Sequence, residues 1–167
     1  MYNETVRVSY LELTSAPALD RNDACLGRVS AERLSVDEYL RLYRLVGAAC
    51  RWDQRLRMPR GELAALLDSA CRCIYVSRNA DDDAVGFCEF ERHPPQIELK
   101  NFGLIPEVQG KGLGSALLSA ALEGEWQHRP RRIWLHTDTW DHPAAMNLYL
   151  RAGFRPFLVR DEPPGDL

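Results

Sequence analysis

Gln109-Gly110-Lys111-Gly112-Leu113-Gly114 joins an extended apolar segment, Ile97 to Ile105, to an apolar segment of helical character, Leu113 to Trp126. A chain that leaves a strand, crosses a glycine-rich turn and enters a helix commits itself to a fold mixing sheet and helix. The same turn is a phosphate-binding device. Its glycines let backbone approach an anion, the first helical N–H groups are unsatisfied, and the helix dipole favours negative charge there. Without a ligand, the turn is simply a tight strand-to-helix connection.

Two better-known glycine motifs are excluded. G-x-x-x-x-G-K-[ST] has no match. Gly110, Gly112 and Gly114 give G-x-G-x-G, which is not the dinucleotide fingerprint G-x-G-x-x-G.

The 167 residues suffice for one domain with a sizeable core. A net charge of −3 leaves no basic footprint, so a nucleic-acid partner is not expected. No apolar run reaches membrane-spanning length, and Met1 to Thr5 has neither the basic region nor the apolar core of a signal peptide. Five cysteines, Cys25, Cys50, Cys71, Cys73 and Cys88, form no C-x-x-C pair, so free thiols packed as small hydrophobes are expected, with no metal site. A reducing, cytoplasmic location follows as an expectation.

Thr5 to Leu13 reads as a first strand, and Thr14 to Leu34 as a long loop. Ser35 and Glu38 form a capping box for a helix with Tyr39, Leu42, Tyr43 and Val46 on one face. An Arg-rich connector, Arg51 to Met58, leads to a short helix after Pro59. Strands follow over Cys71–Ser77, Ala84–Arg92 and Gln96–Ile105 as a meander. The helix from Leu113 comes next, then a strand Ile133–Thr139, a helix from His142 or Pro143 to Arg151, and a final strand Phe154–Val159. Asp161 to Leu167 reads as a polar, mobile tail. The whole is a mixed α/β single domain.

Gln109-x-x-Gly112-x-Gly114, preceded by Phe102-Gly103-Leu104-Ile105-Pro106, resembles the acyl-CoA-binding motif of the GNAT superfamily of N-acyltransferases. Ala145-x-x-Leu148-Tyr149-x-x-x-Gly153-Phe154 resembles that family's C-terminal motif, and the two stand in the family's order. The resemblance spans about Val6 to Val159. It implies a mostly antiparallel sheet splayed after the fourth strand, with acetyl-CoA in the opening. Backbone groups of Gln109, Gly110, Lys111, Gly112, Leu113, Gly114 and Ser115 would hold the pyrophosphate, and Phe102 and Leu104 would pair with the pantetheine arm. A bulge at Asn101-Phe102-Gly103 would give that pairing room. Tyr149 is implied as the general acid that protonates the leaving thiolate; otherwise it is an amphipathic core tyrosine. Glu98 is a candidate base, with Glu89 on the preceding strand as an alternative, or else a strand glutamate paired with Arg92 or Lys100. Strand alternation puts Glu98, Lys100 and Phe102 on one face. His142 stands where the family often carries an asparagine, so the cofactor-arm contact falls to His142 or to nearby Asn147, with Asp141 expected to cap the following helix.

The acceptor side rests on the connector. Trp52 beside Asp53, with Tyr43 behind them, would suit an ammonium group, and Arg55 and Arg57 a carboxylate. The plainer reading is a solvated Arg-rich loop anchored by one tryptophan. His136-Thr137-Asp138-Thr139 is a further candidate for the cleft wall. The chain therefore reads as an N-acetyltransferase moving acetyl from acetyl-CoA to an amine on a small molecule, amino acid or peptide terminus, by direct attack in a ternary complex. A homodimer is expected by analogy alone. The alternatives are a non-catalytic acyl-CoA-binding regulatory module on the same fold, or a structural domain whose turn binds nothing.

Overall fold

The computed structural model describes residues 4–18 and 27–163. Strand β1 (Val6–Leu13) buries Val6 and Val8 on one face and Leu11 and Leu13 on the other, as unbroken alternation places them. Helix α1 (Val36–Gly47) starts at the expected box: the Glu38 N–H donates to Ser35 Oγ, and the Ser35 N–H donates to the Glu38 carboxylate. Its apolar stripe, Tyr39, Leu42, Tyr43 and Val46, is buried.

A 3-10 turn (Ala48–Cys50) leads to α2 (Gln54–Arg57) and α3 (Arg60–Asp68). Then come β3 (Arg72–Arg78), β4 (Ala84–His93), β5 (Gln96–Leu104), α4 (Leu113–Trp126), β6 (Arg132–Asp138), α5 (Ala145–Ala152) and β7 (Arg155–Glu162).

One strand was not legible. Arg28–Ala31, inside the expected loop, is β2 and pairs antiparallel with β3. Four residues of mixed polarity at a sheet edge leave no alternation to read. At the other end β7 continues to Glu162, so Asp161 and Glu162 belong to the sheet and not to a tail. Residues 164–167, the rest of that expected tail, and Cys25 lie outside the described residues.

The sheet order is β2-β3-β4-β5-β6-β1-β7. Neighbours among the described residues run antiparallel, except β5 and β6, which are parallel. One core lies under α4 and α5 and includes Cys88, Phe90, Leu99, Leu117 and Phe154. The other lies under α1 and α3 and includes Ile74, Val76 and Phe87. Alternation on β4 feeds both, which requires a sheet covered on two faces.

Candidate active site

β5 and β6 pair over three residues each, Gln96–Glu98 against Arg132–Trp134. Beyond that seam they separate, as expected for a sheet splayed after the meander. The opening forms a cavity of about 1260 Å³, lined by the last six residues of β5, by His136 and Asp138 of β6, by the starts of α4 and α5, and by the α1–α2 connector.

A bulge sets which β5 side chains enter it. Glu89 pairs with Asn101 and Phe90 with Leu99, leaving Lys100 as the extra residue. The bulge is therefore at Lys100, just before the glycine expected to host it. One inserted residue reverses the alternation. Glu98, Asn101 and Gly103 share the face under α1, while Leu99, Phe102 and Leu104 face α4, so Glu98 and Phe102 do not share a face. Gly103 has another reason to lack a side chain: a Cβ there would stand 2.4 Å from Val46 Cγ1 of α1.

The phosphate end has the required build. Gly110 and Gly112 hold positive φ, +76° and +82°, a region other residues enter at a cost. Gly112 is the N-cap of α4 and supplies no side-chain cap, so the first N–H groups of the helix are available to an anion. Gly110, Gly112, Gly114 and Ser115 line the cavity, and a Cβ on Gly110 would meet only open space. Gln109 lines it too, but its side chain turns back and donates to the Leu104 carbonyl, pinning the turn to the end of β5. Leu113 packs into the core, leaving its backbone for the cradle, and Lys111 is an exposed charge beside it. These features fit the pyrophosphate of a CoA thioester.

Tyr149 reaches the cavity from α5 between Phe102 and Phe154, with ring centroids 5.9 and 6.0 Å away. Burial pushes its phenol well above the ordinary tyrosine value, so it holds its proton at neutral pH. Cys50 also lines the cavity; burial raises its thiol as well, which disfavours a thiolate nucleophile. Asn147 and His142 stand at the mouth, and His142 Nδ1 accepts from the Ala144 N–H. Asp141 does not cap α5. It accepts from Thr137 Oγ1 at 2.6 Å, from the Asp138 N–H, and from Trp52 Nε1 at 3.5 Å, tying the end of β6 to the opposite wall.

That opposite wall is built on a buried carboxylate. Glu89, fully buried, accepts from Tyr39 Oη, Arg55 Nη2, Arg72 Nη1 and Asn101 Nδ2. The network fastens α1, α2, β3 and β5 to β4. Tyr43 is a core residue whose edge lines the cavity, and burial pushes its phenol up to about 12. Trp52 packs on Tyr43 and Phe87 as a structural anchor, and Asp53 is exposed and accepts from Arg57. Arg51 lies over the Trp140 ring at 4.5 Å near the entrance.

Glu98 is buried beneath the cavity and is not one of its lining residues. It accepts from Lys100 Nζ at 3.1 Å, and His136 Nε2 stands 3.9 Å from the same oxygen. Lys100, Asn101 and His136 do line the cavity. Lys100 and Asn101 were not singled out as site residues, because their placement depends on where the bulge falls, which leaves no pattern in a single strand.

The sequence matches the Acetyltransferase (GNAT) family over residues 36–154. It is 29% identical over 126 residues to the mycothiol acetyltransferase of Sanguibacter keddieii, covering 75% of this chain and 39% of that protein. Against the mycothiol acetyltransferase of Kocuria rhizophila it is 35% identical over 107 residues, covering 60% and 32%. Among solved structures, a GNAT-family acetyltransferase of Novosphingobium aromaticivorans superposes with a TM-score of 0.66 at 18% identity, over 95% of this chain and 63% of that one. A GCN5-related N-acetyltransferase of Kribbella flavida gives 0.66 at 18% identity, over 96% and 60%. The chain thus spans less than two thirds of each of these proteins.

Proposed function

The chain belongs to the GNAT acetyltransferase family, and from that premise we propose that it moves an acetyl group from acetyl-CoA to a primary amine by direct attack in a ternary complex. One observation carries this reading: a single cavity joins the uncapped start of α4 to a second lobe walled by the α1–α2 connector. A donor on the glycine turn and an acceptor against the connector can therefore be held together, which removes much of the entropic barrier between them.

The bound thioester supplies the acetyl group. The residues of this chain supply the rest. Backbone N–H groups from Gly110 to Ser115 hold the diphosphate. Phe102 and Leu104 offer the free edge of β5 to the pantetheine arm. Tyr149, kept protonated by burial, is the proton donor for the departing sulfur. Asn101, its amide N–H committed to Glu89, offers its carbonyl oxygen to the acceptor. The acceptor class is a small amine, an amino acid or a peptide terminus. Similarity to proteins named mycothiol acetyltransferase puts the mycothiol series among the acceptors to try first.

Thermal unfolding with acetyl-CoA, CoA and ATP tests the donor site. Ligand at about a hundred times its dissociation constant stabilises by about 2.7 kcal/mol, at about 2–4 °C per kcal/mol for a domain of this size. Both CoA forms should shift the midpoint and ATP should not. No shift in folded protein defeats the proposal. With an amine acceptor, Tyr149→Phe should lower kcat and keep the CoA-induced shift. A CoA shift without thiol release from any amine would favour the non-catalytic binding module.

A further inference from the structure

We propose that His136 takes the proton from the acceptor amine, and that Glu98 acts behind it as a positioning residue. The inference rests on the acetyl-transfer reading above and deepens it. At the base of the splay, β6 presents Trp134, His136 and Asp138 on the face opposite the buried Ile133, Leu135 and Thr137. His136 lies two residues beyond the seam, where the strands have parted, and it lines the cavity.

Glu98, on the seam, is buried and is not among the residues that line the cavity. Its carboxylate is nevertheless 3.9 Å from His136 Nε2, near enough to stabilise an imidazolium as it forms. Tyr10 of β1 closes the other side of the ring at 5.8 Å. The charged and titratable groups facing the imidazole are Glu98 and Lys100 from β5, Asp138 and Asp141 from β6 and its following turn, and Tyr10 with Glu162 behind it.

Burial lowers the imidazole pKa below its ordinary 6.5, with Glu98 opposing and Lys100 assisting. At neutral pH the ring is therefore uncharged and has a free lone pair. In the step, one N–H bond of the acceptor ammonium breaks. Its electron pair stays on nitrogen as the nucleophilic lone pair, and the proton bonds to the unprotonated imidazole nitrogen. The imidazolium then returns that proton to water through the open cavity. Charge moves from substrate to ring and on to solvent, and no further reactant is needed.

The test combines the titration of the His136 ring, followed by NMR in ligand-free protein, with pH profiles of thiol release from acetyl-CoA and primary amines. Wild-type protein should show an acidic limb in kcat/KM whose midpoint matches the His136 titration. Glu98→Gln should move both midpoints to lower pH together, because the opposing carboxylate is gone. His136→Gln should lose the limb and about 10²–10⁴-fold in kcat/KM, while keeping the CoA-induced thermal shift. A ring that is charged at pH 7, a midpoint unmoved by Glu98→Gln, or near-wild-type turnover in His136→Gln overturns this inference and leaves acetyl transfer standing. Wild-type protein that binds CoA yet releases no thiol with any amine overturns both.

Discussion

Glu89 is met by two guanidinium groups, Arg55 and Arg72, and it offers no oxygen to solvent. Both arginines are themselves largely buried, with side chains 11% and 7% exposed. Removing the carboxylate leaves two cations with too little water and too few partners, because Glu91 answers Arg72 alone. Glu89→Leu is therefore expected to cost about 3–5 kcal/mol, the range for breaking a buried ion pair, measured by urea unfolding. Since Arg55 ties α2 to this carboxylate, the variant should also raise KM for the amine while CoA still stabilises it. A loss under 1 kcal/mol would show that the hub is not what holds the connector. Nothing in the sequence near Glu89 announced this role, because its partners come from four different elements. Residues with local partners were legible: Ser35 with Glu38 fixes the start of α1, and the glycines around Gly112 fix the start of α4.

At the scale of elements, the glycine turn and α4 act as one unit, and Gly112 is its hinge. Any side chain at φ +82° costs about 1–2 kcal/mol; an aspartate would in addition set a negative charge where an anion should sit. Gly112→Asp is expected to abolish CoA binding by calorimetry. Gly112→Ala should suffer a similar loss of stability and retain weakened binding. Equal affinity in the aspartate variant would sink the phosphate cradle. Apart from β2, the order of elements followed from motif and periodicity, as did the glycine turn that opens α4 and the presence of Tyr149 in the cavity lining. A β5 bulge was expected at Asn101-Phe102-Gly103, but its true position at Lys100 was not legible, since one extra residue reverses alternation without changing composition. The bond from Trp52 to Asp141 was equally hidden, because it spans 89 positions. Long-range contacts of this kind decide which polar side chains the connector turns into the cavity, so the glycine-turn end of the cavity was more readable than the connector end.

In the whole molecule, β1 is interior to the sheet, with β6 on one side and β7 on the other. Val8 is fully buried and stands opposite Asp138 on one neighbour and Arg160 on the other. Val8→Pro removes a ladder donor from an interior strand, a lesion on the order of 3 kcal/mol or more. Hydrogen exchange should accelerate first in β6 and β7 and leave β3 and β4 less affected; uniform acceleration would mean that the sheet has no such division. The same arrangement bears on how the protein is made. β1 emerges from the ribosome ahead of everything it will pair with, and at about 5–20 residues per second the wait for both partners is roughly 7–30 s. For that interval its valines and leucines have no sheet to join. The β2–β5 meander can assemble from short-range contacts meanwhile, so closure of the far half of the sheet is a late, slow event dominated by loop entropy. On that order of events, the first strand of this sheet to be synthesised is expected to be among the last to be seated.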